Sequence, residues 1–275
     1  MSRTARRLLA FYIATIMVLL GTPGVATIVR ALRKQKITHE IPIPPFRAQA
    51  WLDGSYQKSC ETWFAENFPM RNFYVRTSNQ INFSVFHEIT FKNRTRIIMG
   101  RNNSLFRTVY IDSYYGRGAM SPEVIEKFAT DLRKLQDRLQ SRGITFLFFI
   151  TPSKPSIYPE DIPEYMKSPS GEPRPSNYDL LVPQLAKHGV ETLDGRALFR
   201  SMKETSPYPL FPRSGFHWNY YSSVRAVQEL TSRLEVIMGK RLNHLHFDRV
   251  RTQREPIGSD GDAAQLAYLW SPSVF

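Results

Sequence analysis

The sequence predicts an α/β domain, a parallel sheet flanked by helices, carried behind an N-terminal transmembrane signal anchor. Three observations carry that expectation. A helical pattern from Ser121 ends at Gly143 and feeds directly into the apolar stretch 144–150, ITFLFFI. A strand apolar on both faces belongs to a parallel sheet covered by helices on each side. A second helix and a second short strand repeat the order, which is crossover wiring. Finally, Leu8 to Val29 hold no charged residue across 22 positions, long enough for a helix at about 1.5 Å per residue to cross the hydrocarbon core of a bilayer.

Residues 1–35 read as a signal anchor or a signal peptide. Arg3, Arg6 and Arg7 form the basic flank, and Gly24 and Ala26 are small residues at a conceivable cleavage site. The apolar run exceeds a usual signal-peptide core, which favours the uncleaved anchor. Arg30, Arg33, Lys34 and Lys36 balance the basic residues before the span, so charge does not set orientation. Long domains translocate largely regardless of flanking charge, and the expectation is an exported domain on a tether.

Residues 36–95 read as a linker and helical arm. Ile41-Pro42-Ile43-Pro44-Pro45 is extended, because each proline biases its predecessor away from helix. From Ser55 to about His87 a helical pattern places Trp63, Phe64, Phe68, Phe73, Tyr74, Ile81 and Val85 inward, with a break at Pro69. The 96–275 domain then opens on two short apolar runs around Gly100-Arg101-Asn102-Asn103, a hairpin. Ser121-Pro122-Glu123 begins a helix with an N-cap serine, a proline at the first position and an acid in the first turn. Val124, Phe128, Leu132, Leu135 and Leu139 recur at spacings of three and four and mark its inward face. A helix from about Asn177 to His188, a strand from Val190 to Leu193 leading to Asp194, and a helix from about Asn219 to Met238 follow. After Gly239 the pattern fades.

The apolar share of 42% and aromatic share of 13% supply a sizeable core and exclude a disordered chain. Cys60 is the only cysteine, which excludes an intramolecular disulfide framework. Of the net charge of +13, residues 1–40 carry +6 and the other 235 carry +7. So even a spread suits an anionic polymer or a lipid surface. It makes neither a recognition helix nor a basic-aromatic stripe, so no nucleic acid is expected as a partner.

Ligands of open α/β sheets bind beyond the carboxyl ends of the strands. Three segments fall there: Thr151-Pro152-Ser153-Lys154, Asp194-Gly195, and Gly215-Phe216-His217-Trp218. His217, at the mouth of a helix and braced by an aromatic, is a candidate general base, against the plainer role of a capping or packing histidine. Lys154 offers a cation to a developing oxyanion or an acidic sugar, or is an ordinary solvated lysine. Thr151, not a serine, stands three before Lys154, so this is not the Ser-x-x-Lys of penicillin-binding enzymes. Gly258-Ser259-Asp260 has the letters of a nucleophile elbow in the wrong order and reads as a loop. His244 and His246 lie two apart without a completing ligand at zinc spacing, so neither a metal nor another cofactor is expected.

Several blocks in order resemble the SGNH-hydrolase-like domain of the periplasmic alginate O-acetylation proteins. They are the anchor, Glu66-Asn67-Phe68-Pro69 with Arg71, Gly100 with Leu105-Phe106, Thr151-Pro152-Ser153-Lys154, Tyr158-Pro159-Glu160-Asp161-Ile162-Pro163, and His217-Trp218. The resemblance implies a flavodoxin-like α/β fold and acetyl transfer to hydroxyls of an anionic exopolysaccharide through an acyl-serine. It also implies a membrane-bound O-acyltransferase as acetyl donor and a periplasmic location anchored in the inner membrane through residues 8–29. The family histidine falls on His217, with Lys154, Tyr158, Trp218 and Asp194 as candidate oxyanion or substrate contacts. The family aspartate falls on Gly215, and its serine turn has no counterpart before Phe275. Either the domain is C-terminally truncated, its serine block lying downstream, or the chain is a degenerate relative that binds polymer or scaffolds an acyltransferase. Asp194 is the substitute carboxylate this reading offers. With a triad member lost, the chain is expected to be poorly active or inactive.

Overall fold

The computed structural model describes residues 3–32, 44–68, 70–89, 97–167, 174–253 and 257–270. The chain divides into two compact units, residues 1–78 and 79–275.

The first unit is helical: α1 (Arg3–Leu32), α2 (Ala48–Leu52), α3 (Ser55–Asn67) and α4 (Arg71–Ile81), whose last turn passes into the second unit. Within α1, Thr4–Thr22 is long and apolar enough to cross a membrane, and Leu8, Phe11, Met17 and Leu20 are exposed along it. The expected helix break is present between α3 and α4, with Pro69 itself outside the described residues. Linker residues 33–43 also lie outside them.

The inward face expected along this arm is found only in part: Trp63, Phe68 and Tyr74 are half-buried. Phe64, Phe73, Ile81 and Val85 are exposed, and Phe83 is buried at 3%. At the end of the arm the chain forms a five-residue π-helical turn, Asn82–Phe86. Its wider turn breaks the 3.6-residue phase and delivers Phe83 to Ile97, Leu105, Ala263 and Ala267 in one apolar cluster.

The expected hairpin follows in the second unit. Strands β1 (Ile97–Met99) and β2 (Leu105–Arg107) pair antiparallel, Ile97 opposite Arg107 and Met99 opposite Leu105. Helices α5 (Thr108–Tyr114) and α6 (Pro122–Gln140) follow, the latter capped by Ser121 as the sequence predicts. Strand β3 (Phe148–Ile150) then leads through the single turn α7 (Lys154–Ile157) to α8 (Asn177–Lys187) and β4 (Thr192–Asp194). The strands β3 and β4 are parallel, Phe148 beside Thr192 and Ile150 beside Asp194. The chain continues through α9 (Gly195–Thr205), α10 (Tyr220–Met238) and α11 (Asp262–Leu266).

Helices cover both faces of the parallel pair. On one side Phe148 and Ile150 pack with Ala129 of α6 and Leu185 of α8. On the other, Phe149 packs with Phe199 of α9, Ala226 of α10 and Phe211. The expected layering is therefore present, around a sheet that is two strands wide among the described residues.

Two sequence expectations need correction. The buried strand over residues 144–150 shrinks to three residues, each only half-buried, and Ile144 is half-exposed. Among the described residues β3 is hydrogen-bonded to a strand on one side only, so the ladder that would hold 144–147 extended has no second rail. On α6 the buried residues are Ile125, Ala129 and Gln136, while Val124, Phe128 and Leu135 stay half-exposed. This helix carries two neighbouring apolar stripes, and a polar residue decides between them. Gln136 donates to the Gly189 carbonyl (3.3 Å) and accepts from the Glu191 N–H (2.7 Å). A buried amide needs such partners, and these tie α6 to the entry of β4 with the Ile125 and Ala129 side facing in.

Candidate active site

His217 stands in the segment that leads into α10. That helix starts where the sequence indicates because the Asn219 side chain accepts the N–H of Ser222 (2.9 Å). Upstream, Leu210 and Phe211 are buried in the cluster beneath α9 and α10, and the Tyr158 hydroxyl accepts the Leu210 N–H (3.0 Å). One end of the segment is thus nailed to the core.

The other end is fixed by a turn from far along the chain. Residues Gly258–Gly261 form a 3₁₀ turn that runs into α11. The Ser214 hydroxyl donates to the Asp260 carbonyl (2.7 Å), and the Ala264 N–H donates to the Ser214 carbonyl (3.1 Å). Gly215 makes this contact possible. A Cβ there would lie 2.7 Å from the Asp260 carbonyl and 3.0 Å from that of Ser259. Gly215→Ala is therefore expected to push the 258–262 turn outward and to cost about 1–3 kcal/mol, as overpacking does, readable in thermal unfolding.

The turn delivers Asp262. One carboxylate oxygen accepts the Phe216 N–H (3.0 Å), and the other is hydrogen-bonded to Nδ1 of His217. The carboxylate is mostly buried and the imidazole 60% exposed. A carboxylate on Nδ1 fixes the proton there and leaves Nε2 as the open acceptor of a neutral ring. This is the carboxylate that position 215 lacks. Sequence spacing points to residue 215, and only tertiary contact brings residue 262 to the histidine. The nearest local signal is Gly258-Ser259-Asp260, which reads from sequence as a loop and ends two residues before Asp262.

His217 and Trp218 line a cleft of about 500 Å³ together with Thr151, Pro152 and Ser153, the strand-end segment singled out from sequence. Tyr110, Tyr114, Tyr178 and Arg196 complete much of its wall. Trp218 stacks inward on Phe199 at 5.2 Å between centroids. The Arg196 guanidinium lies 4.3 Å from the Tyr178 ring centroid and 5.6 Å from that of Tyr114. Its ion pair to Asp179 is long, 3.6 Å, its side chain is 12% exposed, and its Nε is buried without a hydrogen-bond partner. Ser113, Ser153, Ser156 and Ser176 also face the cleft. None of the four hydrogen-bonds the imidazole: the Ser156 hydroxyl donates to the Ser153 carbonyl (2.6 Å) and that of Ser176 to Asp179 (2.7 Å).

Three sequence candidates lie elsewhere. Lys154 is 1% exposed and donates to the carbonyls of Leu105, Pro212, Arg213 and Gly215 at 2.7–3.0 Å. It is neither a solvated lysine nor a free cation for an oxyanion. Burial pushes its ammonium down to about 7. Tyr158 spends its hydroxyl on Leu210, its ring carries the Lys203 ammonium at 4.6 Å, and burial raises its phenol. Asp194 caps α9 through the Ala197 N–H (3.0 Å) and accepts the Tyr178 hydroxyl (2.6 Å). With both oxygens so used it is not the partner of His217, and it acts on the cleft by holding Tyr178, whose phenol is pushed up to about 12 by burial and by that bond. His244 pairs with Glu235 at 3.1 Å, and no group of three metal-ligating side chains occurs among the described residues.

The family model for the SGNH hydrolase-like domain of the acetyltransferase AlgX matches residues 97–272. The probable alginate O-acetylase AlgJ of Pseudomonas syringae pv. tomato is 23% identical over 184 residues, 65% of this chain and 42% of that protein. AlgJ of Pseudomonas aeruginosa is 22% identical over 191 residues, 68% of this chain and 45% of that protein. The chain spans less than half the length of these curated relatives. Among solved structures, the O-acetyltransferase domain of Pseudomonas putida AlgJ aligns with a TM-score of 0.42 at 19% identity, covering 55% of this chain and 51% of that one. Pseudomonas aeruginosa AlgX aligns with a TM-score of 0.38 at 22% identity, covering 51% of this chain and 32% of that one.

Proposed function

This chain belongs to the SGNH hydrolase-like acetyltransferase family, and from that membership we propose that it serves the O-acetylation of an anionic exopolysaccharide. The proposal places the α/β unit in the periplasm, tethered to the inner membrane through residues 8–29, with a membrane-bound O-acyltransferase as acetyl donor. One observation carries it: His217, its Nδ1 held by the Asp262 carboxylate, stands on the wall of an aromatic cleft. Such a pair takes the proton of a hydroxyl as it attacks an acyl carbon and returns it to the leaving group. The test is the O-acetyl content of the exopolysaccharide, measured by NMR, in cells that make the protein and in cells that lack it. Equal acetylation in the two would overturn the proposal.

Arg196 supports the acidic acceptor. A guanidinium near two tyrosine rings on the cleft wall, with one long ion pair, matches the planar carboxylate of a uronic-acid residue. Arg196→Gln is expected to weaken binding of an oligouronate about tenfold, on the scale of one charge-assisted hydrogen bond. A neutral oligosaccharide should be unaffected. Calorimetric titration of both sugars against both proteins reads the difference.

A second reading, a non-catalytic scaffold or glycan-binding partner of the acyltransferase, is favoured by a separate observation: no serine hydroxyl of the cleft meets the imidazole. A serine-directed phosphonate separates the readings. A covalent adduct that depends on His217 supports acyl transfer, and its absence supports the scaffold.

A further inference from the structure

We infer that Lys154 is a positioning residue whose buried ammonium clamps segment 212–215 and so holds His217 in register with Asp262. Three of its four acceptors, the carbonyls of Pro212 (2.7 Å), Arg213 (3.0 Å) and Gly215 (2.8 Å), lie within five residues before His217. The fourth, Leu105 (3.0 Å), lies on β2, whose N–H at the same residue donates to the Arg213 carbonyl (2.7 Å). The lysine thus closes a ring between a strand and the histidine segment.

Its own base is rigid. Ser153 and Ser156 form a capping box at the start of α7, and α9 holds that turn through Arg200 to the Ser156 carbonyl (3.2 Å) and Lys203 to the Ile157 carbonyl (2.7 Å). The residue type fits the task. An ammonium is a compact charge whose three protons can be shared among carbonyls converging from different directions, which a planar guanidinium cannot do. Without it the Leu105 and Gly215 carbonyls lose the donor of a buried bond, and the Arg213 carbonyl keeps only the Leu105 N–H, a driving force for the segment to move. Asp161, Asp262 and Arg213 supply the charges around it.

The inference deepens the proposed role of His217 as a base, and its readout is independent of turnover. In the full chain, NMR of the imidazole nitrogens should show His217 with its proton on Nδ1 and a downfield signal from the bond to Asp262. In Lys154→Met that signal should be lost and the tautomer should shift toward Nε2–H. Lys154→Gln, which keeps two donors, should recover part of it. A Lys154→Met protein that loses stability yet keeps the His217 signature would make the lysine merely structural and overturn the inference. Should neither variant fold, amide exchange of the native chain decides. The Leu105 and Phe216 N–H groups must open together as one unit, and Phe216 opening independently of Leu105 would overturn it. Equal acetylation in cells with and without the native chain, its His217 signature being intact, would count against the function and not against the clamp.

Discussion

Replacing His217 by alanine is expected to lower O-acetylation of the polysaccharide by roughly a hundredfold or more, the usual contribution of a positioned general base. The fold should survive, because the imidazole is mostly exposed and its one polar partner is Asp262. The aromatic packing that anchors the segment comes from the next residue: Trp218 stacks on Phe199 and Phe149. The variant should therefore melt close to the native protein and bind an acidic oligosaccharide as well, since Arg196 and the tyrosines are untouched. Loss of acetylation with binding kept is the signature of a chemical role. Unchanged acetylation in His217→Ala cells, with the protein present at the same level, would leave only the scaffold reading.

The parts of this molecule legible in its sequence are those set by local rules. Ser121 before Pro122, Asn219 before α10 and the hairpin around Asn102-Asn103 are short-range choices of capping and turn chemistry, and the structure shows each where expected. Helix faces were less legible. On α6 the choice between two apolar stripes rests on Gln136 finding partners at Gly189 and Glu191, more than fifty residues away, and periodicity holds no information about that.

The site divides the same way. His217 and Trp218 were visible because a histidine-tryptophan pair before a helix is a local pattern. Lys154 was visible as a residue but not in its role. A lysine after a strand reads as solvated until the structure shows four carbonyls around it. Asp262 was invisible because Gly215 reads locally as a missing side chain, whereas in three dimensions it is the space through which the 258–262 turn reaches the histidine. Asp194, the substitute the sequence offers, stands at a strand end, and there capping of α9 has first claim on it.

Asp262→Asn is expected to fold and to reduce acetyl transfer by about 10²–10⁴-fold, the range spanned by losing a positioned acid–base group. The argument lies in the two oxygens. One accepts from the Phe216 N–H, the other from Nδ1 of His217. An asparagine has one acceptor and one donor group. If its oxygen stays on Phe216, its amide N–H faces Nδ1, forces the proton onto Nε2, and removes the lone pair that faces the cleft. If it flips, amide N–H opposes backbone N–H, and a buried donor goes unsatisfied at about 1–3 kcal/mol. The first arrangement is cheaper, so the protein should lose activity before it loses stability. NMR should find His217 as the Nε2–H tautomer. The control is Asp194→Asn, which should leave the His217 tautomer alone and weaken the cap of α9 by at most about 1 kcal/mol. If Asp262→Asn kept the native rate and the Nδ1–H tautomer, the carboxylate would not orient the histidine, and the pairing on which the proposed chemistry rests would be incidental.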